Sequence, residues 1–63
     1  MIKIVETKGK WGSDIAELHI HDQFVFKATR VNETWIAMYK GISAIGDTAK
    51  LALCRLLYLL LEE

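Results

Sequence analysis

Residues 14–39 read DIAELHIHDQFVFKATRVNETWIAMY, and their alternation decides the fold. From Asp14 to His21, Ala16, Leu18 and Ile20 fall on one side and Glu17, His19 and His21 on the other. Period two over this length is the pattern of a half-buried strand. His21, Asp22 and Gln23 make a tight connection. Phe24, Phe26 and Ala28 then alternate with Val25, Lys27 and Thr29 as a second strand. After a short turn at Val31, Asn32 and Glu33, Trp35 to Tyr39 forms a third, with Ile36 and Met38 opposite Trp35, Ala37 and Tyr39. Short turns between successive strands imply an antiparallel meander, a sheet that can leave one face wet.

Outward from this core, Ile2 to Glu6 is a β-prone run that adds a strand at the N-terminal side. It is followed by a turn or hairpin loop marked by Gly9, Gly12 and Ser13, which carries Trp11. On the C-terminal side, Gly41 to Ala44 continues extended or turns. Gly46-Asp47-Thr48 is a helix start, with Asp47 or Thr48 as the cap. The helix runs from about Thr48 to Leu61 and contains nothing that breaks it. The expected fold is α+β: an antiparallel sheet of three or four strands followed by one C-terminal helix packed on one face, in β-β-β-α order. Ala16, Leu18, Ile20, Phe24, Phe26, Ile36 and Met38 are expected to meet Ala49, Ala52, Leu53, Leu56, Leu57 and Leu60 in the core.

On a helical wheel the apolar residues of 49–60 fill about half the circumference, wider than an ordinary surface helix needs. That width suits either a helix sunk across a curved sheet or one that also packs on a second copy. Leu51, Leu57 and Leu61 are the expected dimer contacts. A homodimer would also relieve an undersized core, since a chain of 63 residues buries only roughly 60% of its unfolded surface.

Composition narrows the function classes. Lys plus Arg number 8 and Asp plus Glu number 8, so the chain lacks the basic excess of a dedicated phosphate-backbone binder. Its single cysteine, Cys54, forms no internal disulfide, which points to a reducing, cytoplasmic setting. Met1 to Thr7 is too short and charged for a signal peptide. Leu51 to Leu61, interrupted by Arg55, is about half the length that spans a bilayer. No membrane contact is expected.

Candidate chemistry is thin. His19 and His21, two apart on one strand with Glu17 beside them, have the spacing of metal ligands. The same residues also fit a solvated face, and no metal or cofactor is assigned. Asp14, Asp22 and Glu33 sit at strand ends, where turn and capping roles are commoner than acid–base work. Cys54 is mid-helix, where small buried cysteines are common. Gly9, Gly12, Gly41 and Gly46 match no phosphate loop. No catalytic residue is assigned. Trp11, Glu17, His19, His21, Lys27, Trp35 and Tyr39 are the expected partner-binding residues, on the open sheet face and its loops. Trp, Tyr and Arg are enriched at protein interfaces. The alternative is a nucleic-acid module, with Lys8, Lys10, Lys27, Arg30 and Lys40 on phosphates and the same aromatics stacking on bases.

The segment Trp35 to Leu57, WIAMYKGISAIGDTAKLALCRLL, resembles HicB-like proteins. Trp35, Ala37, Ser43, Gly46, Asp47, Thr48 and Ala52 fit that pattern of an aromatic-rich strand, a short stretch, then Ser-x-x-Gly-Asp-Thr and a helix. Ala52-Leu53-Cys54-Arg55 is also similar to small phage proteins of α/β-sandwich fold. The resemblance implies a β-β-β-α core that binds and masks a partner protein rather than catalysing a reaction. The antitoxins of that family mask a toxin ribonuclease. The 63 residues are expected to leave no room for their C-terminal DNA-binding domain, and no Pro-Gly stretch precedes Ser43. What the resemblance implies here is a small phage- or mobile-element-encoded inhibitor of a partner protein.

Overall fold

The computed structural model describes residues 1–8 and 14–62. Trp11 and its loop, including Lys10, lie outside the described residues. Five strands and one helix follow in order: β1 (Ile2–Lys8), β2 (Asp14–Ile20), β3 (Gln23–Val31), β4 (Thr34–Tyr39), β5 (Ile42–Gly46) and α1 (Ala49–Leu61). The strands form one antiparallel sheet in sequence order, β1-β2-β3-β4-β5. The fold is therefore α+β with a C-terminal helix on one face, and the sheet has five strands rather than three or four.

The extra strand comes from Lys40-Gly41, a two-residue turn that pairs Tyr39 with Ile42. Lys40 has φ 49° and Gly41 φ 80°, the left-handed pair that a type I′ hairpin requires. Its twist matches that of the flanking strands, so 42–46 continues the sheet. His21 and Asp22, at φ 52° and 64°, make the same kind of turn between β2 and β3. Asn32, at φ 60°, opens the two-residue turn that pairs Val31 with Thr34.

Register then settles which side chains face the helix. Ala16 pairs with Ala28, Ala28 with Ala37 and Ala37 with Ala44. These four alanines form a row across β2 to β5, and all are buried. The helix makes most of its sheet contacts with β5, fewer with β4 and fewer again with β3. Its buried residues are Ala49, Ala52, Leu53 and Leu56. Leu18, Phe26 and Trp35 complete the core, with Ile4, Val25, Tyr39, Ile42, Leu57 and Leu60 packed around it. Leu53 and Leu56 are the largest side chains that are fully enclosed.

Two core expectations are corrected. In β4 the inward residues are Trp35 and Ala37, not Ile36 and Met38. Trp35 is only 9% exposed and Met38 is 63% exposed. In the β2–β3 pairing the register shifts between Leu18 and His19, so that Leu18 faces Phe26 and His19 faces Phe24, with Val25 the extra residue of β3. One strand gains a residue there, as in a β-bulge. Phe24 is thereby released to the opposite face from Phe26 and is exposed.

The entry to the helix has its own logic. The Leu51 N–H donates to Thr48 Oγ1 at 3.1 Å, so Thr48 is the cap. Gly46 lies where the first helical turn meets the strand. A Cβ on Gly46 would sit 2.8 Å from the Ala52 backbone nitrogen and 3.0 Å from Leu51 Cβ. Gly-Asp-Thr thus has a local structural cause in this chain: close approach at Gly46 and capping at Thr48.

Candidate contact surface

With the helix on the alanine face, the other face of the sheet is uncovered among the described residues. Its centre is apolar. Ile36 pairs with Ile45 across β4 and β5, and Met38 pairs with Lys27 and Ser43. Val31, Met38 and Ile45 are exposed, and Ile36 is half-buried. Lys27, Thr29, Val31, Ile36 and Met38 line a shallow depression of about 280 Å³ on this face. Toward β2 the surface becomes polar. Glu17 is opposite Lys27, and His19 Nε2 lies 3.0 Å from Glu17 Oε1. The His19 ring meets the Phe24 ring edge-on with centroids 6.0 Å apart. An apolar centre beside a polar rim is the usual anatomy of a protein-binding patch.

The expected contact residues divide. Glu17, His19 and Lys27 do share the open face. His21 does not: it belongs to the β2–β3 turn, where its N–H donates to the Met1 carbonyl at 3.0 Å. The Met1 ammonium group donates to its Nδ1 at 3.3 Å. This separates His21 from His19, and no group of three or more His, Cys, Asp or Glu among the described residues is placed to hold a metal. Trp35 and Tyr39, expected on the open face, lie on the helix face. Trp35 is in the core. Tyr39 packs against Phe26 with ring centroids 5.8 Å apart, and Lys40 Nζ sits 5.4 Å from its ring centre.

Of the helix residues expected at a dimer contact, Leu61 is exposed and Leu51 marginally so. Leu57 is half-buried against the chain's own core. Cys54 is exposed on the helix instead of buried. Arg30 pairs with Asp14 across β3 and β2 at 3.1 Å.

The open-face residues that sequence reasoning missed are Ile36, Met38, Val31, Phe24 and Ile45. The signal for most of them was turn length. A two-residue turn at Asn32-Glu33 pairs Ala28 with Ala37, so an inward Ala28 makes Ala37 and Trp35 inward and Ile36 and Met38 outward.

No helix of the described residues is long and apolar enough to cross a membrane. No protein family matches the chain, and no curated protein or solved structure matches it at a significant level.

Proposed function

We propose that this chain is a small protein-binding domain that acts by laying the open face of its sheet against an apolar face of one partner protein. The observation that carries this reading is the uncovered strip of Val31, Ile36, Met38 and Ile45. Contiguous exposed apolar surface with a polar rim marks an interaction site. The action is steric: the partner's face is occupied, and no group on this chain undergoes a chemical step. Glu17, His19 and Lys27 supply the rim and set orientation. The aromatics expected to stack on bases, Trp35 and Tyr39, lie on the other side of the sheet, which leaves this face only Phe24 and His19 beside its apolar strip. The protein reading is therefore preferred over a nucleic-acid module. Self-association through the helix has less to work with, because Leu57 is committed to the core.

The test is capture from a lysate of the source cells, with wild-type chain, Met38→Lys and Ile45→Lys as baits. One protein should be recovered with wild type, unaffected by nuclease, and lost with either variant. Exposed substitutions of this kind change stability by about 0.5 kcal/mol or less, so both baits remain folded. Retention of the partner by both variants, or a captured set that vanishes with nuclease, would overturn the reading.

A further inference from the structure

A second surface lies along the outer edge of β5. Strand β5 is the last of the sheet, and helix α1 overhangs it, leaving a groove of about 610 Å³. Ser43, Ala44 and Ile45 form its floor, and Cys54, Arg55, Tyr58 and Leu59 form its wall. Arg55 is the only charged residue of this lining among the described residues. Its Nη1 donates to the Ile45 carbonyl at 2.8 Å, which shows that this carbonyl points out of the sheet edge. In an antiparallel ladder the N–H and C=O of one residue point the same way, and alternate residues repeat the direction. The N–H of Ile45 and both backbone groups of Ser43 therefore also point into the groove. The same parity follows from the Lys40-Gly41 turn, which directs Tyr39 and Ile42 toward each other.

We infer that this groove takes an extended acidic–apolar peptide segment, added antiparallel to β5 as a sixth strand. Strand addition to an exposed edge draws affinity from backbone hydrogen bonds and specificity from alternate side chains. The added strand runs from the Gly46 end toward Ser43. The side chains it turns toward the helix are two residues apart. The first meets Arg55, and its carboxylate uses guanidinium donors that the Ile45 carbonyl leaves free. The second meets Tyr58 and Leu59, which form an apolar wall above Ala44. The motif is Glu or Asp, any residue, then a large apolar residue. The Ile45 carbonyl has two lone pairs and can accept from the peptide and from Arg55 together. This surface is the β5 edge beside the helix and meets the open face only at Ile45.

The probe is a capped six-residue synthetic peptide with Glu two positions before Leu, titrated into isotope-labelled protein and followed by amide NMR shifts. The amides of Ser43 and Ile45 should shift most. Replacing the peptide Glu by Gln should weaken binding about two- to fivefold, the range of an exposed ion pair. Arg55→Gln should bind both peptides equally. Ser43→Pro removes one outward N–H at an edge position, where proline is tolerated, and should abolish binding while the rest of the spectrum stays folded. Met38→Lys should leave the titration unchanged, which separates this surface from the open face. Equal binding of the Glu and Gln peptides by wild type would overturn the inference. So would shifts centred on Ile36 and Met38, or none at about 1 mM peptide, where even weak complexes register. Shifts at Ser43 and Ile45 that grow with protein concentration alone would put a second copy in the groove and equally overturn it.

Discussion

The two faces of the sheet are both apolar, yet only one is buried. The helix face has alanines along its centre, at 16, 28, 37 and 44, flanked by Leu18, Phe26 and Trp35. The open face has Ile36, Met38 and Ile45 at the neighbouring positions. Hydrophobicity alone does not separate them; size does. A row of small side chains makes a trough in which the leucines of α1 interdigitate at native packing density. Bulky branched residues along the same row would hold the helix off the sheet. The lesson is that a single helix selects the face that lets it approach, and the other face, though apolar at its centre, is left uncovered.

The comparison breaks most visibly under truncation. Trp35→Ala and Leu56→Ala remove core volume and should cost about 3–5 and 2–5 kcal/mol respectively, enough to unfold a domain this small. Met38→Ala, at an exposed position, should stay within about 0.5 kcal/mol of wild type in the same denaturant titration. Equal losses at Trp35 and Met38 would mean that both faces are covered. Enlargement probes the trough from the other direction. Ala37→Leu should cost about 1–3 kcal/mol through overpacking, and Gly46→Ala should fall in the same range because its Cβ would meet the Ala52 nitrogen. Thr48→Ala should cost about 1 kcal/mol through the lost cap, read as a lower thermal midpoint. The smallest effect lies in the turn. Lys40→Asn should raise the midpoint slightly, because asparagine adopts the left-handed conformation seen at φ 49° more readily than lysine.

Much of this fold was legible in the sequence. The alternation of Ala16 and Leu18 against Glu17 and His19 identified β2 and its inward face, although Ile15 lies on the outward side and Ile20 stays outside the core. The helix and its buried stripe of Ala49, Ala52, Leu53 and Leu56 followed from period, and capping chemistry narrowed the cap to Asp47 or Thr48, of which the structure uses Thr48. What alternation leaves open is β4, where Trp35, Ala37 and Tyr39 are as apolar as Ile36 and Met38. The choice there is made by neighbours, through the two-residue turn at Asn32-Glu33, and not by the strand itself. Phe24 was out of reach for a different reason. The register shift beside His19 breaks the strict alternation that placed it with Phe26. Strand β5 lacked a strong signal because Lys40-Gly41 places a non-glycine residue at a positive-φ position usually filled by Asn, Asp or Gly.

The open face was legible only in part. Glu17, His19 and Lys27 could be placed on the open face, because polar residues on a strand announce one. The apolar centre was missed because an exposed Ile or Met looks, in sequence, the same as a buried one. Ala28, already inward in β3, held the missing information once strand register was counted through the turn.

Ala37 and Met38 are adjacent in sequence and point to opposite faces, so a lysine at each is the most direct test of the two-face account. The measurement is a urea titration of Ala37→Lys and Met38→Lys beside wild type. The account predicts that Ala37→Lys unfolds the chain, since it drives an unpaired charge into the alanine trough beneath the helix. Met38→Lys should unfold at the wild-type midpoint. A stable Ala37→Lys together with an unfolded Met38→Lys would place the helix on the other face and contradict the account.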